Sequence, residues 1–229
     1  MAISVVIPIY NESPAVLENI VRELKKQRGE FEAIFVDGGV SEDRDLGGFA
    51  MLASPKGRGA QQNLGARVAK FEKILFLHAD SKFKSESALL AAEAALEKCQ
   101  IGCFEMKFDE GGVWLNLIAT CANLRVKFRN IAFGDQGIFV RKDFFTQLGG
   151  FEQIPIMEDF ELSLRLKKVG VKFHQISEQI TTSARKFKKE GTLRTLMKMQ
   201  KFQYKFRRAL SVYGAKGAQK AADEIAKDY

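Results

Sequence analysis

Three short apolar runs, each ending on polar residues, constrain this chain more than any other feature: "ISVVIP" at 3–8, "EAIFVD" at 32–37 and "ILFL" at 74–77. The first is continuously apolar and β-branched, as in a strand covered on both faces of a sheet. What lies between the runs reads as helix. Ser13-Pro14 supplies an N-cap and a first-turn proline, and Val16, Leu17, Ile20, Val21 and Leu24 then recur at helical spacing to about Gln27. "GRGAQQNLGARVAKF", 57–71, is a glycine-rich entry into a small-residue helix, and "SESALLAAEAALEKC" is a helix capped by Ser85 or Ser87. Such β-α-β alternation predicts an α/β fold, a mostly parallel central sheet flanked by helices and joined by right-handed crossovers. Ligands of such sheets collect at the carboxyl ends of the strands, where Asp37 and Asp80 both fall.

The second half is less regular. "GCFEMKF" reads as a strand, "VWLNLIATCANLRVKF" as a helix, and "QGIFVRKDFF" as a strand leading to a turn. "MEDFELSLRLKKVG" is an amphipathic helix ending at Gly170, followed by "VKFHQI" and "QITTSA" as two short strands. With 229 residues and no linker-like segment, one domain of residues 1–190 with an appendage over 191–229 is the simplest organisation. No apolar run approaches the roughly 20 residues of a membrane span. "MAISVVIPIYNE" enters a strand with no basic n-region, so no signal peptide is expected. Cys99, Cys103 and Cys121 match no zinc or redox spacing and read as reduced thiols of a cytoplasmic protein.

Four places can carry chemistry, and each also has a plain structural reading. Asp80 ends a strand two residues after His78. It is either a turn residue or a ligand of Mg²⁺ or Mn²⁺, adequate if a bound diphosphate supplies other oxygens. Asp37 before Gly38-Gly39 is either an Asp-Gly turn or an acceptor for a base N–H, with glycines letting the base approach the backbone. Lys56 and Arg58 precede a helix N-terminus, which favours anions, although a loop-to-helix junction looks the same. Glu158-Asp159 open a helix, either as dipole partners or with one carboxylate serving as general base. "FGDQG", 133–137, is a further polar cluster with the same ambiguity, and His174 reads as a packed histidine.

In order, these pieces resemble a family-2 glycosyltransferase of the GT-A fold. "VVIPIYNE", "VDGG", "FLHAD" and "GDQGIFVRKDFFTQLGGF…IMEDFELSLRLKKVG" carry the resemblance over roughly residues 3–185. "SPKGRGAQQNLGA" and "TTSARKF" add similarity to the subgroup of radical-SAM/selenodomain-associated transferases. The resemblance implies a nucleotide-diphosphate sugar donor, a divalent cation (Mn²⁺ or Mg²⁺) and inversion at the anomeric carbon. It divides the domain into a donor half, about 1–106, and an acceptor half, about 107–190. By position, Pro8, Tyr10, Glu12, Asp37 and Gly38 would line the nucleoside, and Arg58 would approach the donor phosphates. Asp80 would hold the metal with His78 as a second candidate ligand, Asp135 and Gln136 would stand on the acceptor side, and Asp159 beside Glu158 would deprotonate the acceptor. "DGGVSEDRD" departs from the usual run after the base-binding aspartate, and His78 stands where the family has an acid.

The net charge of +8 is local. Residues 185–208 hold ten Lys/Arg and one Glu, leaving 26 basic and 27 acidic residues for the rest of the chain, a net of −1. This argues for a local anionic partner, not for general nucleic-acid affinity. From 193 the tail reads as a basic amphipathic helix, with Met199, Phe202, Phe206, Leu210 and Tyr213 on one face. That stripe either packs on the domain or lies on an anionic membrane through residues 193–213, placing the protein on the inner face and bringing the site to a lipid-linked acceptor. Residues 214–229 are small and charged and are expected to fray. Two other functions compete with the transferase: a nucleotidyltransferase on a related sheet, and a degenerate enzyme acting as a membrane or partner adaptor.

Overall fold

The computed structural model describes residues 2–39 and 46–228; the run 40–45, within the departing "VSEDRD", lies outside them. In the first part of the chain β1 (Ala2–Ile9), β2 (Glu30–Asp37), β3 (Ala50–Ala53) and β4 (Lys73–Phe76) alternate with α1 (Pro14–Lys25) and α2 (Arg58–Val68). Then come β5 (Lys82–Phe83), α3 (Ala88–Ala95), β6 (Ile101–Phe108), α4 (Val113–Arg129), β7 (Ile138–Arg141) and α5 (Lys142–Gln147). The chain continues through α6 (Glu158–Lys168), β8 (His174–Thr182), α7 (Arg185–Glu190) and α8 (Thr192–Asp228).

The strands form one eight-stranded sheet in the order β3-β2-β1-β4-β7-β6-β8-β5. β1 pairs in parallel with β2 and β4, β2 with β3, and β6 with β8; β7 runs antiparallel to both β4 and β6, and β5 to β8. Six of the eight strands therefore point one way. Register then decides what meets at their carboxyl edge. Ile9 stands opposite Asp37, and Val6 opposite Phe76. Because β7 is reversed, it begins where β4 ends, with Ile138 opposite Phe76. The loop before β7 thus arrives beside the residues that follow β4. Phe108 and Thr182, the ends of β6 and β8, lie at the same edge.

Both faces of the sheet are buried, as the apolar first strand required. Ile3, Val5 and Ile7 pack with α1 and α3, while Val6, Phe76 and Val140 pack with Ala66, Phe145 and Leu162 on the opposite face. β3 and β5 were not legible: β3 is a part-exposed edge strand, "AMLA", made of helix-favouring residues, and β5 is only two residues long. "KDFF" begins a helix, not a turn. The two strands expected over 171–184 are one strand, whose register against β6 slips between Phe104 and Glu105. His174 is exposed at its start, so it is not a packed histidine.

The tail is the largest departure. α8 breaks at Gly214, whose φ of 62° and ψ of −149° no helix contains, and helical structure continues to Asp228. Residues 214–228 do not fray: Ala218, Ala221, Ala222 and Ile225 join Phe202 and Phe206 in a buried cluster with Ile154, Phe160 and Ile131. Of the stripe considered for membrane contact, Phe202 and Phe206 are inside, with Phe206 against Phe160 at 5.9 Å between ring centroids, Met199 and Leu210 are half-buried, and Tyr213 is exposed. Phe206→Ala should cost about 3–5 kcal/mol, read as a fall in the midpoint of thermal unfolding. A loss below about 1 kcal/mol would mean that the tail does not pack there.

Candidate active site

A cleft of about 610 Å³ opens along the carboxyl edge of the sheet. Arg58, His78, Asp80, Asp135, Glu158 and Asp159 all line it, though they come from separate stretches of sequence. Each is placed by the element before it. Arg58 opens α2, and His78 and Asp80 follow β4. Asp135 sits in a 3-10 turn, Gly134–Gln136, immediately before β7. Glu158 and Asp159 form the first turn of α6, turned inward by Met157, whose φ of 75° is the left-handed region that a methionine adopts only under constraint.

His78 and the 3-10 turn approach closely: a Cβ on Gly134 would stand 2.5 Å from His78 Nε2, so this position requires glycine. That Nε2 is enclosed and has no hydrogen-bond partner among the described residues, and burial drives the imidazole pKa down to about 3, keeping it neutral. Asp80 keeps 34% of its side chain exposed to the cleft, with the Arg185 guanidinium 4.0 Å from its Oδ2. Asp135 Oδ1 is enclosed and unpartnered among the described residues; burial, with Asp159 and Asp80 nearby, raises its carboxyl to about 6 against the pull of Arg125. Asp159 is fixed from two sides, Oδ2 accepting from the Gly134 N–H at 2.7 Å and Oδ1 from the Phe160 N–H at 2.6 Å. Glu158 is buried, its Oε1 3.5 Å from Arg58 Nε.

The expected nucleoside residues occupy the adjoining ends of β1 and β2 and do not line this cleft. Asp37 is buried, with Oδ1 accepting from the Gly39 N–H at 2.8 Å and Oδ2 unpartnered among the described residues. Gly38 follows it, its N–H donating to Ile9 O at 3.0 Å. Tyr10 is exposed with Lys56 Nζ 4.2 Å from its ring centroid, Pro8 is buried within β1, and Glu12 stands in the loop after β1. Gln136 does not face the cleft either. It is buried, accepting from Arg125 Nη2 at 3.0 Å, and so braces the turn that carries Asp135.

Sequence reasoning missed four residues that build the site. Gln61 Nε2 bridges Ile9 O and Val36 O, holding the ends of β1 and β2 together. Asn63 exchanges two hydrogen bonds with the Phe151 backbone and ties α2 to the loop between α5 and α6. Arg125, over the Phe133 ring at 4.2 Å, is the buried cation behind Asp135. Arg185 reaches the cleft from the end of β8. Gln61 and Asn63 lie in the quoted "GRGAQQNLGA" and Arg185 in "TTSARKF", so motif membership was the available signal.

The donors present fit a divalent cation that completes its shell from a ligand. Asp80 offers a hard carboxylate, and Asp135 Oδ1 and His78 Nε2 are enclosed without partners. Among the described residues no group of three His, Cys, Asp or Glu could hold an ion alone. The three cysteines are unpaired.

Glu158 gives the cleft a measurable pH signature. Burial raises its carboxyl from 4.5 to about 7, against the attraction of Arg58, so the folded chain holds the proton more tightly than the unfolded chain. Its contribution to stability is full below about pH 4.5 and is lost as pH rises through about 7, at about 1.4 kcal/mol per pH unit inside that window. The unfolding midpoint of wild type minus that of Glu158→Gln should therefore fall between about pH 5 and about pH 8. A difference that stays constant over that range would show Glu158 ionised throughout.

With this geometry in place, comparison with known proteins is direct. The family model described as "Glycosyl transferase family 2" matches residues 4–148. No curated protein matches the sequence. Among solved structures, the mannosyltransferase PcManGT from Pyrobaculum calidifontis, in complex with GDP-Man and Mn²⁺, aligns at a TM-score of 0.62 and 16% identity over 98% of this chain and 68% of that one. S. aureus TarS aligns at 0.60 and 16% identity over 100% of this chain and 42% of its own length. These likenesses establish a GT-A-like fold. The family model spans more than half of the sequence, and the chain belongs to glycosyl transferase family 2.

Proposed function

We propose that the protein is an inverting glycosyltransferase that moves a sugar from a nucleotide-diphosphate donor to a hydroxyl acceptor with the help of Mn²⁺ or Mg²⁺. One observation carries this reading: carboxylates with distinct surroundings converge on a single cleft beside a buried strand-end aspartate. Asp37, with an unpartnered Oδ2 at the end of β2, is suited to accept an N–H from the base, with Pro8, Tyr10, Glu12 and Gly38 around the nucleoside. Arg185 beside Asp80 and Arg58 beside Glu158, in the same cleft, supply positive charge for the diphosphate. Asp80, with Asp135 or His78, would hold the cation, whose chemistry is to neutralise charge on the departing diphosphate. Asp159, held by two backbone N–H groups at the mouth of α6, takes the acceptor proton. The neighbour's complex with GDP-Man and Mn²⁺ on a similar fold supports both the donor class and the ion.

Thermal unfolding with UDP, GDP, CDP and TDP, each with and without Mn²⁺, tests the reading. A ligand at 100 times its Kd stabilises by about 2.7 kcal/mol, or roughly 5–10 °C for a chain of this size. One nucleotide should give that shift with Mn²⁺, and a flat response to all four would remove the donor site. Among the described residues no helix is long and apolar enough to cross a membrane. The location we favour is the cytoplasmic face of a membrane, approached through the basic segment.

A further inference from the structure

α4 and the first part of α8 leave a gap between them, a second cavity of about 520 Å³. One wall is an apolar stripe of α4 at helical spacing, Trp114, Leu117, Cys121 and Phe128, and the other is formed by Leu196 and Met199 of α8. Trp114, Leu117 and Phe128 are 69%, 51% and 80% exposed, a concentration of large apolar side chains beside a void rather than a core. The gap is not separate from the catalytic cleft. Phe108, Phe133, Asp135, Phe187, Met199 and Gln203 line both cavities, so they form one trough with carboxylates at one end and apolar walls at the other. Arg129 lines the apolar end, and Arg194, Lys198 and Lys201 follow within the same turns of α8.

We propose that this groove holds the hydrocarbon chain of a membrane-lipid acceptor whose head group carries the attacking hydroxyl into the cleft. The inference rests on the transferase reading above and names its acceptor class. Continuity decides the occupant: a chain seated between α4 and α8 leads directly to Asp135 at the catalytic end, so whatever fills the groove is joined to what reacts. A protein partner or a second copy covering Trp114 and Phe128 would account for the exposed rim but not for the opening into the site. The cations of α8 suit the surface of an anionic bilayer, where each basic residue tightens adsorption by roughly fivefold. In the transfer itself the head-group oxygen bonds to the anomeric carbon and the bond from that carbon to the diphosphate oxygen breaks. The hydroxyl proton goes to Asp159, and the nucleoside diphosphate leaves with the bonding pair.

Trp114 is the chain's single tryptophan, so its emission reports the groove. The full chain is titrated with monoalkyl glycerol ethers of increasing chain length, below their micellar concentrations. Emission should move to shorter wavelength, and Kd should fall roughly fourfold per added methylene. Leu117→Glu, at an exposed position that leaves the fold intact, should lose the response and keep its shift with nucleotide and Mn²⁺. The wild type should also sediment with phosphatidylglycerol vesicles, and Leu117→Glu should stay in solution. A Kd that does not vary with chain length, or wild type left in the supernatant, overturns the proposal; so does an emission change with protein concentration alone, which would place a second copy on the groove. Nucleotide stabilisation without chain-length dependence removes this inference and leaves the transferase standing. Chain-length dependence without any nucleotide response removes the transferase reading, and with it the groove's role as an acceptor site.

Discussion

Asp80→Ala should abolish the Mn²⁺-dependent stabilisation by nucleoside diphosphate, a loss of the whole shift of roughly 5–10 °C. The size follows from how little else the cleft offers an ion. Among the described residues no group of three donors could hold an ion alone, and without Asp80 the carboxylates left in the cleft are Asp135, enclosed, Glu158, beside Arg58, and Asp159, already accepting from two backbone N–H groups. A substrate diphosphate then has no strand-end carboxylate open to the cleft with which to share the ion. The fold should be untouched, because Asp80 follows the strand, faces the cleft and contributes nothing to the buried clusters on either side of the sheet. Its unliganded unfolding midpoint should therefore match wild type. A mutant that keeps the Mn²⁺-dependent shift would move the ion away from Asp80.

Asp159→Asn should leave nucleotide binding intact and lower turnover by about 10²–10⁴-fold, the usual worth of a positioned general base. The amide keeps an oxygen to accept from the Gly134 or Phe160 N–H, so the first turn of α6 and the 3-10 turn stay in place while proton acceptance is lost. Unchanged turnover would pass the role to Asp135, another carboxylate of the cleft, whose enclosed Oδ1 has no partner among the described residues. Steady-state rates with a responding acceptor, with nucleotide binding read on the same preparation, separate the two outcomes.

The strand ends are legible in the sequence because a buried parallel strand has an unmistakable composition and its carboxyl end is where such sheets bind ligands. Residue order alone therefore puts Asp37 and Asp80 at that edge, and the glycine-flanked loop puts Arg58 at a helix mouth. What joins them to Asp135, Glu158 and Asp159 is not in local pattern. It depends on β7 running against β4, which brings the "GDQG" turn to His78, and no periodicity announces the direction of a four-residue strand. Arg185 is hidden for the same reason, since its approach to Asp80 follows from β8 lying parallel to β6. The tail misleads differently. "GAKGAQKAADEIAKD" looks like solvated chain by composition, yet Ala218, Ala221, Ala222 and Ile225 stand at three- and four-residue steps, a helical face made of small residues so that the two arms of α8 can pack closely. Residue size conceals a pattern that spacing alone reveals.

The central claim is that the bond broken lies at the anomeric carbon of a nucleotide-linked sugar, and the nature of the released products tests it most directly. Incubating the full chain with nucleotide-diphosphate sugars and Mn²⁺, with water as a slow substitute acceptor, should release nucleoside diphosphate and free sugar from one of them, with the sugar appearing first as the inverted anomer. Asp80→Ala should release neither. Release of nucleoside monophosphate and sugar phosphate would place the attack on phosphorus, and no release from any donor would leave the cleft without its proposed reaction; either result contradicts the account.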